Sequence, residues 1–219
     1  MKNRFDLIIF DWDGTLIDSI GWIVHCLQTA AISCGCPVPS DQQAKDVIGL
    51  SIEVAMDTLF PDADANLRNR LVECYSSTYF SRRISRDDLF PGVYDMLVHL
   101  KDAGYKLAVA TGKTRNGLIK ALEATETGNL FEITRCADET ASKPDPKMIH
   151  QILAHTQTEK DRSLMVGDSV HDLKMACNAQ VASIGVACGV HTESVLKNYQ
   201  PLMCLSQPAE LINIFGGTV

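Results

Sequence analysis

No stretch of this 219-residue chain approaches the roughly 20 consecutive apolar residues that cross a bilayer as a helix. An excess of positive charge is also missing. The 20 Lys and Arg stand against 27 Asp and Glu, a formal net charge of −7. Without a basic field the chain is poorly suited to sequence-independent nucleic-acid binding or to docking on anionic membranes. Eight cysteines are scattered from Cys26 to Cys204 with no Cys-x-x-Cys pair. The one close pair, Cys34-Gly35-Cys36, reads as a helix end broken by Gly35 rather than as a thiol or metal clip. In a reducing compartment such thiols act as small buried hydrophobes. Internal repeats and low-complexity segments are lacking too. The apolar run Leu7-Ile8-Ile9-Phe10 is too short for a secretion signal and is ended by Asp11, so a cytoplasmic location is expected.

What is present is an ordinary globular composition, 46% hydrophobic and 21% charged, with a regular rhythm. Short apolar, strand-like runs recur at 7–10, 106–110, 133–136, 163–166, 182–186 and 202–205. Helical patterns at 93–103, 114–124, 146–155, 170–178 and 209–215 lie among them. This alternation predicts an α/β fold with a Rossmann-like, doubly wound parallel sheet. One interval breaks the rhythm. Residues 17–85 hold no convincing strand, only helical patterns at 19–33, 40–47, 51–59 and 66–79, two of them opened by Ser40 and Ser51 as N-caps. A helical insertion of about 70 residues therefore interrupts the strand–helix series.

Phe10-Asp11-Trp12-Asp13-Gly14-Thr15-Leu16 follows the first strand directly. If the chain stays extended there, the period of two points the Asp11 and Asp13 carboxylates the same way. Two like charges held so close call for a cation between them or a retained proton. Mg²⁺, which takes hard oxygen ligands and few of them from protein, suits such a site. Asp and Gly after a strand also suit a plain turn.

Four segments taken together resemble the motifs of the haloacid dehalogenase superfamily, in its phosphatase branch of the phosphoglycolate phosphatase type. They are Asp11-Trp12-Asp13-Gly14-Thr15-Leu16-Ile17-Asp18-Ser19, Leu107-Ala108-Val109-Ala110-Thr111-Gly112-Lys113, Ser142-Lys143-Pro144-Asp145-Pro146, and Leu164-Met165-Val166-Gly167-Asp168-Ser169-Val170-His171-Asp172. The resemblance spans the whole chain. It implies a core of residues 1–16 and 86–219 with residues 17–85 forming an all-helical cap domain. It makes Asp11 the nucleophile that forms an aspartyl-phosphate and Asp13 the general acid/base. Thr111, Lys143 and backbone N–H groups at Trp12 and Gly112 would bind phosphate, and Asp11, Asp13, Asp168 and Asp172 would form the Mg²⁺ site. Trp12 stands where Phe, Leu or Met is commoner, a change expected at the pocket floor rather than in the chemistry. Lys113 is a weaker candidate than Lys143, and His171 is expected to have no role.

Ile48-Gly49-Leu50-Ser51 resembles the family's specificity loop, so Gly49, Leu50 and Ser51 are the candidate substrate contacts. Lys45, Arg82 and Arg83 are read as solvated charges. Residues 17–85 hold eight acids against five bases, a net of −3, which makes a poor clamp for polyanions. The expected activity is Mg²⁺-dependent hydrolysis of a small organic phosphate, by a monomer or homodimer without nucleic-acid or membrane partners. The alternatives are a β-phosphoglucomutase-like phosphotransferase, a pyrophosphatase and, more remotely, a non-catalytic binding protein on the same scaffold.

Overall fold

The computed structural model describes residues 4–215; residues 1–3 and 216–219 of the expected core lie outside the described residues. Six strands form one sheet: β1 (Leu7–Phe10), β2 (Lys106–Thr111), β3 (Ile133–Cys136), β4 (Ser163–Gly167), β5 (Ala182–Val186) and β6 (Cys204–Leu205). Their order is β3-β2-β1-β4-β5-β6, and every pairing is parallel. Ile9 in the central strand registers with Ala108 on one side and Met165 on the other. All four β1 residues are buried, as a parallel strand covered on both faces requires.

Alternation within β1 divides the core. Ile8 and Phe10 pack with residues of α5 (Val93–Asp102), α6 (Arg115–Thr125) and α10 (Leu211–Phe215), among them Leu97, Leu118 and Phe215. Leu7 and Ile9 pack on the opposite face with Met148 and Ile152 of α7 (Lys147–Thr156) and Met175 of α8 (Val170–Asn178). The fold is thus α/β and doubly wound, a Rossmann-like parallel sheet. The last strand is shorter than the 202–205 span suggested, because it forms the sheet edge and Leu202 is exposed there. The last helical segment opens as a 3₁₀ turn at Pro208–Glu210 before α10.

Between β1 and α5 lie α1 (Ile20–Cys34), α2 (Asp41–Asp46), α3 (Ile52–Leu59) and α4 (Ala65–Tyr79). Their ends follow local chemistry. Ser40 and Gln43 form a reciprocal capping box, Ser51 accepts from Val54 N–H, and Asp64 accepts from Leu67 N–H. Gly35 ends α1 in the left-handed conformation at φ +70°, and all eight cysteines are free. The four helices share an apolar cluster of their own, centred on Ile23, Leu27, Met56, Leu71 and Tyr79. The two segments that join them to the sheet run side by side, with Asp18 N–H bonded to Asp88 O at 2.9 Å and Phe90 N–H to Leu16 O at 3.0 Å.

Strand order reverses between β1 and β4. The crevice beyond the carboxyl ends of such strands is where open α/β sheets place ligands. The helical insertion leaves the chain at the tip of β1 and therefore stands over that crevice.

Candidate active site

Three buried carboxylates meet at the reversal point. Asp11 follows β1, Asp168 follows β4, and Asp172 lies in the first turn of α8; each offers an oxygen within 4.8 Å of the others. Lys143, on the loop before α7, reaches them from the side. Its Nζ lies 2.6 Å from Asp11 Oδ1 and 2.7 Å from Asp172 Oδ1, and all of these groups are at most 1% exposed. The Asp11 contact is a close ion pair whose angles fall outside hydrogen-bond geometry.

Backbone and hydroxyl donors fix the other oxygens. Thr15 Oγ1 donates to Asp168 Oδ1 at 2.8 Å, and Val190 N–H donates to Asp168 Oδ2 at 2.7 Å. Ser169 caps α8 and donates both its hydroxyl and its N–H to Asp172 Oδ2, at 2.6 and 3.0 Å. Two glycines make room for Asp168. A Cβ on Gly189 would lie 2.0 Å from Asp168 Oδ2, and one on Gly14, which also holds φ +78°, would lie 2.3 Å from the same atom.

This set carries more negative than positive charge in a dry place. Burial first, and then the neighbouring carboxylates, push the Asp11 carboxyl well above its ordinary range against the pull of Lys143. Burial and Asp172 push Asp168 up to about 7 against the pull of its hydrogen bonds and of Lys143. Carboxylates in this condition are those that a hard divalent cation would hold ionised. The oxygen-only donor set and its enclosure fit Mg²⁺.

Asp13 stands apart from this cluster. The strand ends at Phe10, and the chain turns through Gly14, whose N–H bonds Ile17 O at 2.9 Å. Asp13 thus lies beyond the strand, and its carboxylate borders the same cavity as Asp11 without joining the three that meet. It meets Lys113 Nζ through both oxygens, at 3.0 and 2.9 Å, and accepts from Ser19 Oγ at 2.7 Å. Lys113 also donates to the Tyr79 hydroxyl at 2.6 Å. Burial opposes the Lys113 charge, but Asp13 and the two tyrosines outweigh it and raise its pKa.

Thr111 sits buried at the end of β2, where its hydroxyl accepts from Lys113 N–H at 3.2 Å. The insertion closes against this edge. A Cβ on Gly112 would lie 2.4 Å from Leu50 O and 2.5 Å from Gly49 O. Ser51 N–H bonds Ser142 Oγ at 2.8 Å, and the His171 ring bonds Asp46 O at 2.9 Å. Asp11, Asp13, Thr111, Gly112, Gly49 and Leu50 border one cavity between sheet and insertion. Trp12 does not. Its indole packs into the core, edge-on to Phe131 at 6.3 Å, so its size leaves the pocket floor unchanged. Arg82 pairs with Asp88, and neither it nor Lys45 nor Arg83 borders the cavity.

A profile of the haloacid dehalogenase-like hydrolases matches residues 8–186, almost the whole sheet. The chain belongs to the haloacid dehalogenase-like hydrolase family. A relative named Probable phosphatase IndB, from Dickeya dadantii, is 33% identical over 94% of this chain and 91% of its own. A phosphoglycolate phosphatase from Vibrio cholerae is 30% identical over 89% and 90%. In architecture the chain is similar to a haloacid dehalogenase-like family hydrolase from Streptococcus pneumoniae, with a TM-score of 0.81 at 24% identity over 96% and 98% of the two chains. The protein is therefore an enzyme of the hydrolase class, and it resembles the phosphoglycolate phosphatases over about nine-tenths of its length.

Within this haloacid dehalogenase-like site, several contributors escape a reading of the sequence. Thr15 lies inside the first motif but looks like a turn residue. Val190 acts through its backbone and has no signature. Tyr79 comes from α4, 34 positions from its partner Lys113. Lys113, by contrast, adjoins Gly112 in the second motif and is a candidate from the sequence, ranked there below Lys143; the structure sets it against Asp13.

Proposed function

We propose that this enzyme hydrolyses small organic phosphate monoesters with Mg²⁺ as cofactor and a phosphorylated Asp11 as intermediate. The convergence of Asp11, Lys143, Asp168 and Asp172 from distant parts of the chain onto one buried point supports the reading most strongly. An inert binding protein would gain nothing from confining three carboxylates there at the cost of their desolvation.

In this reading Asp11 attacks phosphorus and the bond to the leaving oxygen breaks, while Asp13 gives that oxygen its proton. Asp13 then takes a proton from water as the water attacks phosphorus, which frees Asp11 and releases inorganic phosphate. Thr111 and the backbone around Trp12 and Gly112 hold the phosphoryl oxygens. Lys143 places a fixed positive charge beside the nucleophile and the group in transfer. Asp11, Asp168 and Asp172 would hold the Mg²⁺, with Asp13 contributing no carboxylate oxygen in this arrangement. When bound, the ion lowers the repulsion between the Asp11 carboxylate and a phosphate dianion. Residues 17–85 act as a cap that excludes water and selects the leaving group, with Gly49 and Leu50 at the cavity and Ser51, which does not border it, tying that loop to Ser142.

The test is phosphate release from a panel of phosphoglycolate, hexose phosphates, nucleotides, pyrophosphate and an aryl phosphate, with Mg²⁺ and with EDTA. Release that needs Mg²⁺ and disappears in Asp11→Asn is the expected result. A preference for pyrophosphate, or isomerisation of a hexose phosphate stimulated by its bisphosphate, would move the enzyme to the pyrophosphatase or phosphotransferase alternative.

A further inference from the structure

The cavity above Asp11 has two unlike walls. The sheet edge supplies Asp11, Asp13 and Thr111, whereas the helical insertion supplies Ile23 and Leu27 from α1, Ile52 from α3, and Tyr75, Ser76 and Tyr79 from α4, a wall of carbon and neutral hydroxyls without a charge. The two tyrosine rings stack with centroids 5.8 Å apart. Among the described residues around this cavity, Lys113 is the one cation, and it is already committed. An ammonium has three donors, and Lys113 Nζ has three acceptors within 3.0 Å: both Asp13 oxygens and the Tyr79 hydroxyl. Lys143 is occupied by Asp11 and Asp172.

A carboxylate or second phosphate on the leaving group would therefore enter an apolar space with no free counter-charge, or would have to strip Lys113 from Asp13. A buried anion without a partner is costly, whereas an apolar body gains by leaving water. We infer that the natural leaving group is an uncharged, largely apolar alcohol, of aromatic or branched aliphatic type, and that carboxylated esters such as phosphoglycolate are poor substrates. This inference rests on the phosphomonoesterase reading above.

Benzyl phosphate and its para-carboxylate analogue differ by one charge far from the reacting oxygen, so their comparison tests the inference directly. With Mg²⁺, kcat/KM for the neutral ester should exceed that for the carboxylate by about tenfold or more, and phosphoglycolate should fall with the carboxylate. Ile52→Arg places a cation on the apolar wall and should shift the ratio toward the carboxylated ester. Equal or better use of the carboxylated esters by the wild-type enzyme, with release still dependent on Asp11, would overturn the inference while leaving the phosphatase reading intact. An unchanged ratio in an Ile52→Arg enzyme that still cleaves benzyl phosphate would also overturn it. Absence of Asp11-dependent release from every ester and from acetyl phosphate would remove both.

Discussion

The two walls of the cavity are built on opposite principles. On the sheet side nearly every group is ionic, buried and held by a partner: Asp11 and Asp172 by Lys143, Asp168 by Thr15 and the Val190 N–H, and Asp13 by Lys113 and Ser19. On the insertion side Ile23, Leu27, Ile52 and Ala55 present carbon, and the tyrosines bring one hydroxyl contact to Lys113. Charge fixed at strand ends can carry out group transfer whatever the leaving group is. Apolar side chains on separately packed helices can change without disturbing that machinery. Under the proposed function, reaction type and substrate choice are therefore stored in different parts of this chain. Their contacts among the described residues include Gly112 against the Gly49 and Leu50 carbonyls, Ser142 with Ser51, His171 with the Asp46 carbonyl, Asp13 with Ser19, and Lys113 with Tyr79.

The sharpest way to test this division is to damage the ionic wall alone. Asp11→Asn should lower kcat by about 10⁴-fold on every substrate alike, with the fold kept as judged by circular dichroism. Selective loss on some esters would mean that Asp11 takes part in recognition. Lys143→Met should cost about 3–5 kcal/mol of stability in urea with EDTA present, because it leaves two buried carboxylates facing one another without their cation.

The contact line between the walls comes next. Gly112→Ala would force the Gly49 and Leu50 carbonyls away from the β2 edge, since its Cβ would sit 2.4–2.5 Å from their oxygens. Displacement of the insertion on the scale of an ångström should lower kcat/KM by about 10²-fold, with some loss of urea stability because both clashing atoms are backbone. An unaffected kcat/KM would show that closure of the helical unit is irrelevant to turnover. Tyr79→Phe should have the smallest effect. It removes one hydrogen bond to Lys113, worth about 1 kcal/mol, and should reduce kcat/KM a few-fold in steady-state assays.

The same division explains what could be read from the sequence. The parallel sheet was legible because each strand is a compact apolar run, and β1, β3 and β5 occupy the spans their patterns suggest. The helices of the insertion were legible through their caps at Ser40 and Ser51. Asp11, Lys143, Asp168 and Asp172 could be placed near one another because strand ends of a parallel sheet share an edge. Asp13 illustrates the limit. β1 stops at Phe10, and the partners Asp13 takes beyond it, Lys113 from the second motif and Ser19 from the end of the first, are pairings that the motifs alone do not reveal. Lys113 was legible only as a candidate weaker than Lys143, and Tyr79 and Val190 were not legible as site residues because their contacts form only after the insertion and the 187–191 loop have folded against the sheet. The neutrality of the apolar wall follows from packing among α1, α3 and α4, which the overall charge of the segment only hinted at.

Whether Asp11 carries the phosphoryl group can be tested without knowing the natural substrate. Acetyl phosphate has a leaving group that needs no proton, so an Asp13→Asn enzyme should be phosphorylated but slow to hydrolyse. Rapid quench in acid followed by peptide mass spectrometry should find a phosphoryl group on the peptide that contains Asp11, dependent on Mg²⁺ and lost when Asp11→Asn is added. Phosphorylation at another residue, or continued turnover of acetyl phosphate by the doubly substituted enzyme, would contradict the account.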